Sequence, residues 1–281
     1  MTGSGDLVKV EMAGYTLPLP RTRRYVLKNR TIGAAVALML VMGARAGEAQ
    51  EGPPRISVTE GHLLAYFNES DDSPQLVGTL QHFSTFRYGS NFFFADISGG
   101  ADLAVSDTDL GVYLEYAPVL SLGKLGVVAP GGPIRDLGLT VQVNGGFTPG
   151  GIAIDRVFLE GAEIAWEVPR FAVFSTQLLA RQERHYDPSW QFTWVYDIPF
   201  RVGPASGQLA GFMDVWRRTG QGDASTVMLA QPQLMVNLGT PEPGQSFVQV
   251  GVEFEPSHDF PVAAARPGWN FAVSPVLRWV F

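Results

Sequence analysis

The sequence predicts an all-β protein, a 12-stranded antiparallel transmembrane β-barrel of the outer-membrane type, on three observations. Short runs bounded by Gly and Pro alternate apolar and polar residues, a leader with the features of an export signal precedes them, and the chain closes on Trp279-Val280-Phe281. The composition agrees: 46 % hydrophobic and 17 % charged, with a mean hydropathy of +0.08. That is too polar for a helical membrane protein and too apolar for a disordered chain.

The leader comes first. No run of the ~20 apolar residues that a helical span needs occurs anywhere. The longest apolar stretch, Thr31 to Met42, follows Arg21, Arg23, Arg24, Lys28 and Arg30 and precedes the small residues Ala44, Ala46 and Ala49. A basic region, a short apolar region and small residues at the cut describe a cleaved signal peptide, with cleavage expected after Ala46 or Ala49. Residues 1–49 are therefore set apart from residues 50–281, read as a single barrel domain. The basic segment Arg23-Arg24-Tyr25-Val26-Leu27-Lys28 also resembles a twin-arginine signal, which serves proteins exported already folded. A barrel has to reach its membrane unfolded, so the general secretory route is the expectation.

Twelve strands are expected in the remainder, near 58–67, 77–86, 91–98, 111–120, 137–145, 155–167, 171–182, 190–200, 207–217, 225–238, 246–256 and 271–281. Turn signals separate them, among them Gly99-Gly100, Pro130-Gly131-Gly132-Pro133, Gly145-Gly146, Gly203-Pro204 and Pro241 to Gly244. The alternation is clearest late in the chain. Phe192, Trp194, Tyr196, Ile198 and Phe200 share one face, opposite Gln191, Thr193 and Asp197. Val248, Val250, Val252 and Phe254 oppose Gln249, Gly251, Glu253 and Glu255, and Phe271, Val273, Leu277, Trp279 and Phe281 oppose Ser274 and Arg278. The run Arg156 to Trp166 alternates poorly because Glu160 and Phe158 fall on one face, so a bulge or a polar rim position is expected there. An even strand count lets the last strand close on the first, which a sheet without water at its edges requires.

Four of these segments carry a family resemblance. Tyr88-Gly89-Ser90-Asn91-Phe92-Phe93-Phe94-Ala95-Asp96-Ile97, Gly211-Phe212-Met213-Asp214-Val215-Trp216, Gln231-Pro232-Gln233-Leu234-Met235-Val236-Asn237-Leu238 and Val250-Gly251-Val252-Glu253-Phe254 resemble, in order and spacing, the Tsx-like family. Its members are nucleoside-specific channel-forming proteins of the outer membrane and relatives of unassigned function, to which this chain is closer. The resemblance runs with gaps over most of residues 75–281. It implies a monomeric twelve-stranded barrel around a narrow nucleoside channel lined by aromatic and ionisable side chains.

With the apolar face outward, the inward set contains Asp96, Glu115, Asp197, Asp214, Glu253, Glu255 and Arg278. So many ionisable groups in one interior require water or mutual pairing, because an isolated buried carboxylate costs several kcal/mol. They could offer acceptors to the hydroxyls and amines of a passing solute. They could equally form a hydrogen-bonded plug around Arg278. Phe92, Phe94, Tyr113, Phe212 and Trp216 fall on the same face as these acids, where they could stack on a planar solute or simply pack the interior or its rim.

Other chemistries are less well supported. Residues 50–281 hold 13 Lys and Arg against 24 Asp and Glu, the wrong balance for a nucleic-acid partner. The chain has no cysteine, which removes disulfides and thiolate chemistry. His62, His82, His185 and His258 have no metal-site spacing, and no glycine loop reads as a phosphate cradle. Ser175 and Ser274 can face inward without an evident histidine partner, so an enzyme is not expected. No cofactor or metal is expected either. The expected partners are outer-membrane lipid, the barrel-assembly machinery through Phe281, and a small solute passing by diffusion. The alternative is a structural or receptor-like barrel with a filled lumen, whose loops near 99–110 and 219–225 would do the work.

Overall fold

Alternating side chains along an extended backbone place one set on each face of a strand, so each run of the sequence becomes a wall segment with an inner and an outer surface. The computed structural model describes residues 56–68, 75–99, 111–147, 153–220, 223–242, 245–260 and 268–281. The leader, most of the 99–110 loop and the middle of the 219–225 loop lie outside these residues. The regular elements are β1 (Ser57–Asn68), β2 (Gln75–Phe86), β3 (Gly89–Gly99), β4 (Gly111–Tyr116), β5 (Val119–Ser121), β6 (Ile134–Phe147), β7 (Ala153–Trp166), β8 (Val173–Glu183), β9 (Ser189–Val202), β10 (Ala205–Gly220), β11 (Asp223–Ala230), β12 (Gln233–Leu238), β13 (Phe247–His258) and β14 (Trp269–Val280).

These segments make twelve staves. β4 and β5 both pair with β3 and β6, and β11 and β12 both pair with β10 and β13, so each couple is one stave interrupted once. The interruptions fall at Ala117-Pro118 and Gln231-Pro232, where proline has no N–H to give to the ladder. Register passes through both without a slip: Tyr116 and Val119 face Val143 and Thr140, and Ala230 and Gln233 face Met213 and Ala210. Neighbouring staves are antiparallel throughout, and β14 pairs with β1. The sheet is a closed twelve-stranded barrel with no free edge.

The two faces differ as the alternation requires. Along β14, Phe271, Val273, Leu277 and Trp279 are exposed on the outer face while Ala272, Ser274, Val276 and Arg278 are buried on the inner one. The exposed Phe281 ring stacks on Trp279, with centroids 5.9 Å apart and planes at 6°. At Arg156 to Trp166 the pairing runs regularly from Val157 to Ala165 against β6, and the register shifts lie on either side, at Ile134/Asp136 and Asn144/Gly146. Glu160 thus stands on the outer face with Phe158, beside Ala180, in an unbroken stretch of strand.

The inner face is not uniformly polar. Leu64, Met235 and Val276 form one buried cluster and Val157, Leu159 and Leu179 another. Room for the first comes from Gly251, opposite Met235. A Cβ on Gly251 would lie 2.1 Å from the Leu234 carbonyl oxygen and 2.6 Å from Met235 Sδ.

Candidate functional site

Residues directly opposed on neighbouring strands share a face, so the registers carry inner-face identity around the barrel. All the candidate lumen residues fall on that face: Phe92, Phe94 and Asp96 on β3, Tyr113 and Glu115 on β4, Asp197 on β9, Phe212, Asp214 and Trp216 on β10, Glu253 and Glu255 on β13, and Arg278 on β14. Most of them fall into three groups by their contacts, with Asp197 and Phe212 on the same face outside those groups.

Near the barrel end that holds the start of β1 and the end of β14, Arg278 ties four staves together. Its guanidinium donates to Gln249 Oε1 at 3.1 Å and to Gln233 Oε1, and its Nε lies 3.5 Å from Glu60 Oε2. Glu60 also accepts from Gln81 at 2.6 Å and lies 3.0 Å from His62 Nε2. The two glutamines pass the network on, Gln233 to Glu253 at 2.5 Å and Gln249 to Asn237 at 2.8 Å. Glu255, toward the other end of β13, accepts from Gln231 at 2.8 Å and stands outside this network. Arg278 is only 2 % exposed; it is covered by its own network.

Toward the opposite end, Arg181 and Arg218 share Glu183. Arg181 lies 3.0 Å and Arg218 2.5 Å from its carboxylate oxygens. Arg181 also donates to Gln191 at 2.5 Å, Gln191 donates to Thr193 at 3.0 Å, and Thr193 donates to Asp214. The Arg181 guanidinium sits 4.6 Å over the Trp216 ring, a cation–π contact. Phe260 meets the same indole edge-on at 6.0 Å. Trp216 is therefore packed, at 3 % exposure, and offers no open stacking face.

Between these groups runs an aromatic row. Phe92 and Phe94 have centroids 6.1 Å apart, and Phe94 and Tyr113 5.9 Å. All three are partly exposed. Carboxylates flank the row: Asp96 accepts from Thr79 at 2.5 Å, and Glu115 accepts from Tyr113 at 2.5 Å and from Asn144 at 2.9 Å. Successive rings are tilted to one another by 50° and 52°, so the row is a stepped apolar surface edged by acceptors.

Sequence reasoning did not place the ionisable residues Glu60, His62, Glu163, Arg181, Glu183 and Arg218 on the inner face. The alternating pair Arg181 and Glu183, with Gln177 two steps further back, was the available signal for an inward polar face on β8. Among the described residues there is no cluster of His, Asp and Glu arranged to hold a metal ion.

The chain has no match among curated proteins. Residues 61–281, which span nearly the whole barrel, are matched by the family described as "Domain of unknown function (DUF5020)", and the chain belongs to that family.

Proposed function

We propose that this protein is a narrow outer-membrane channel through which small polar-aromatic solutes, nucleosides or molecules like them, diffuse passively. The observation that carries the reading is the partly exposed row Phe92, Phe94 and Tyr113 on the inner face of a closed barrel, edged by Asp96 and Glu115. A ring that stacks on such a row gains roughly 1–3 kcal/mol per contact. Carboxylates beside it accept from hydroxyls and amines, and weak binding at several points lets a solute enter and still leave. The apolar outer face, with Trp269 and Trp279 at opposite ends of β14, suits a lipid layer with aromatic residues at its two boundaries. The resemblance to Tsx-like proteins supports the same solute class. The protein then reaches its membrane through the signal peptide, meets the barrel-assembly machinery through Phe281, and works as a monomer.

A second reading has its own support. Leu159, Met235, Gln249 and Arg278 are inner-face residues with 2 % exposure or less, which favours a filled, structural barrel. Single-channel recording in a planar bilayer, with and without added nucleoside, separates the two. The channel gives discrete conductance that nucleoside reduces, and Phe94→Ala weakens that block. Absence of conductance under every condition leaves the filled barrel.

A further inference from the structure

The barrel end that holds the start of β1 and the end of β14 is charged against the balance of the chain. Over residues 50–281, acids outnumber Lys and Arg by 24 to 13. Among the described residues at this end, five cations are exposed, Arg87, Lys124, Arg135, Arg170 and Arg201, against two exposed acids, Glu167 and Glu242. The five stand in or beside four successive connections at this end, β2–β3, β5–β6, β7–β8 and β9–β10. By contrast, the segments that follow β1 and β3, residues 69–74 and 100–110, hold Glu69, Asp71, Asp72, Asp102, Asp107 and Asp109 and no cation.

None of the five is in an ion pair among the described residues. What they touch is uncharged. Lys124 Nζ donates to the Gly89 carbonyl at 3.2 Å, Arg135 donates to the Ala172 carbonyl at 3.4 Å, and Arg87 sits 5.1 Å over the Tyr88 ring. The less exposed acids nearby have other donors. Asp136 accepts from Ser121 and from the Gly123 and Leu137 amides, and Glu163, which faces inward within electrostatic reach of Arg135, accepts from Gln177.

The same rim carries bare apolar side chains. Val127 is 67 % and Val202 71 % exposed, the one three residues from Lys124 and the other next to Arg201. Unpaired cations and exposed apolar groups together, at the edge of an apolar wall, match a boundary where hydrocarbon meets phosphate. Long stems lie against the apolar layer, charged heads reach the headgroups, and guanidinium groups pair bidentately with phosphate oxygens.

We propose that this rim, from β2 to β10, binds the headgroups of anionic phospholipids in the leaflet at the end that holds the start of β1 and the end of β14. The proposal goes beyond the channel reading and rests only on its membrane part, since a filled barrel would carry the same rim.

The test is lipid retention. The purified full chain is placed in nanodiscs of equal parts phosphatidylcholine and phosphatidylglycerol and extracted with mild detergent, and the lipids still bound are counted by native mass spectrometry. Phosphatidylglycerol is expected in about fivefold excess, falling toward parity in about 0.5 M potassium chloride, which screens the rim. Combining Arg135→Gln, Arg170→Gln and Arg201→Gln removes most of the excess, while Arg156→Gln with Arg184→Gln, exposed at the opposite end, leaves it. Heat-dependent gel mobility reports that each variant has kept its barrel, and the salt series on the unchanged chain decides if one has not. Equal retention of the two lipids, an excess indifferent to salt or to the three rim substitutions, or one lost with Arg156 and Arg184 instead, overturns the rim while the membrane reading stands. A chain that does not enter the bilayer overturns that reading, and the rim with it.

Discussion

Replacing Arg278 with Met tests whether the network near the barrel's closing seam holds the wall together. Met keeps most of the apolar stem and removes the charge. The structure loses two charge-assisted hydrogen bonds, to Gln249 and Gln233, and an ion pair with Glu60 at 3.5 Å. A hydrogen bond to a charged group is worth about 1.5–3 kcal/mol, so the two together predict a loss of about 3–6 kcal/mol, close to the roughly 3–5 kcal/mol of breaking a buried pair. Glu60 keeps Gln81 and His62, which holds the cost below the full desolvation of an orphaned carboxylate. The assay is equilibrium urea unfolding of the purified barrel in lipid vesicles, followed by tryptophan fluorescence, for R278M, E60Q and the double variant. The expected double-mutant cycle gives a coupling of about 1–3 kcal/mol. A loss below ~1 kcal/mol for R278M, the size of an ordinary surface change, would refute the claim that this network fastens β1, β12, β13 and β14.

Three further outcomes follow from particular contacts. Gly251→Ala drives a Cβ to 2.1 Å from the Leu234 carbonyl oxygen and 2.6 Å from Met235 Sδ, so the urea midpoint falls, and Met235→Ala on the same chain relieves only the sulfur part. Leu159→Ala, at a position with 0 % exposure, costs about 2–5 kcal/mol in the same assay through the cavity it leaves. Phe281→Ala removes an exposed ring stacked on Trp279. Unfolding of the purified protein then shifts by less than ~1 kcal/mol, while the folded fraction recovered from cell envelopes, read by heat-dependent gel mobility, drops severalfold.

The wall was legible in the sequence because a barrel of this kind exposes a period of two on nearly every stave. Gln249, Glu253 and Arg278 could be assigned to the inner face from alternation alone. Two kinds of residue resisted that reading. Inner-face Leu159, Leu179, Met235 and Val276 break the rule that apolar side chains face outward, since they fill the interior and gain by packing against one another. Glu160 breaks it the other way. Glu160 and Phe158 sharing a face predicts a bulge or a polar rim position; the strand has no bulge there, and its irregularities lie at Ile134/Asp136 and Asn144/Gly146. The networks were harder still. That Arg181 would bridge Glu183 and lie over Trp216 depends on β8 and β10 flanking β9 in one register, which no local pattern encodes. Pro118 and Pro232 lie inside the expected strands 111–120 and 225–238, and each breaks its stave into two strands.

Those two prolines stand on staves six places apart in a ring of twelve, so the interruptions face each other across the barrel. Each removes one N–H from the ladder, as do Pro199, Pro256 and Pro275 elsewhere in the wall, but only Pro118 and Pro232 stand where a stave is broken into two strands. The wall holds its register at both breaks, through bonds such as Ala117 N–H to the Phe92 carbonyl and Phe254 N–H to the Pro232 carbonyl. Two facing staves are thus each broken once while the ring stays closed, because their neighbours are held in step on both sides of each proline.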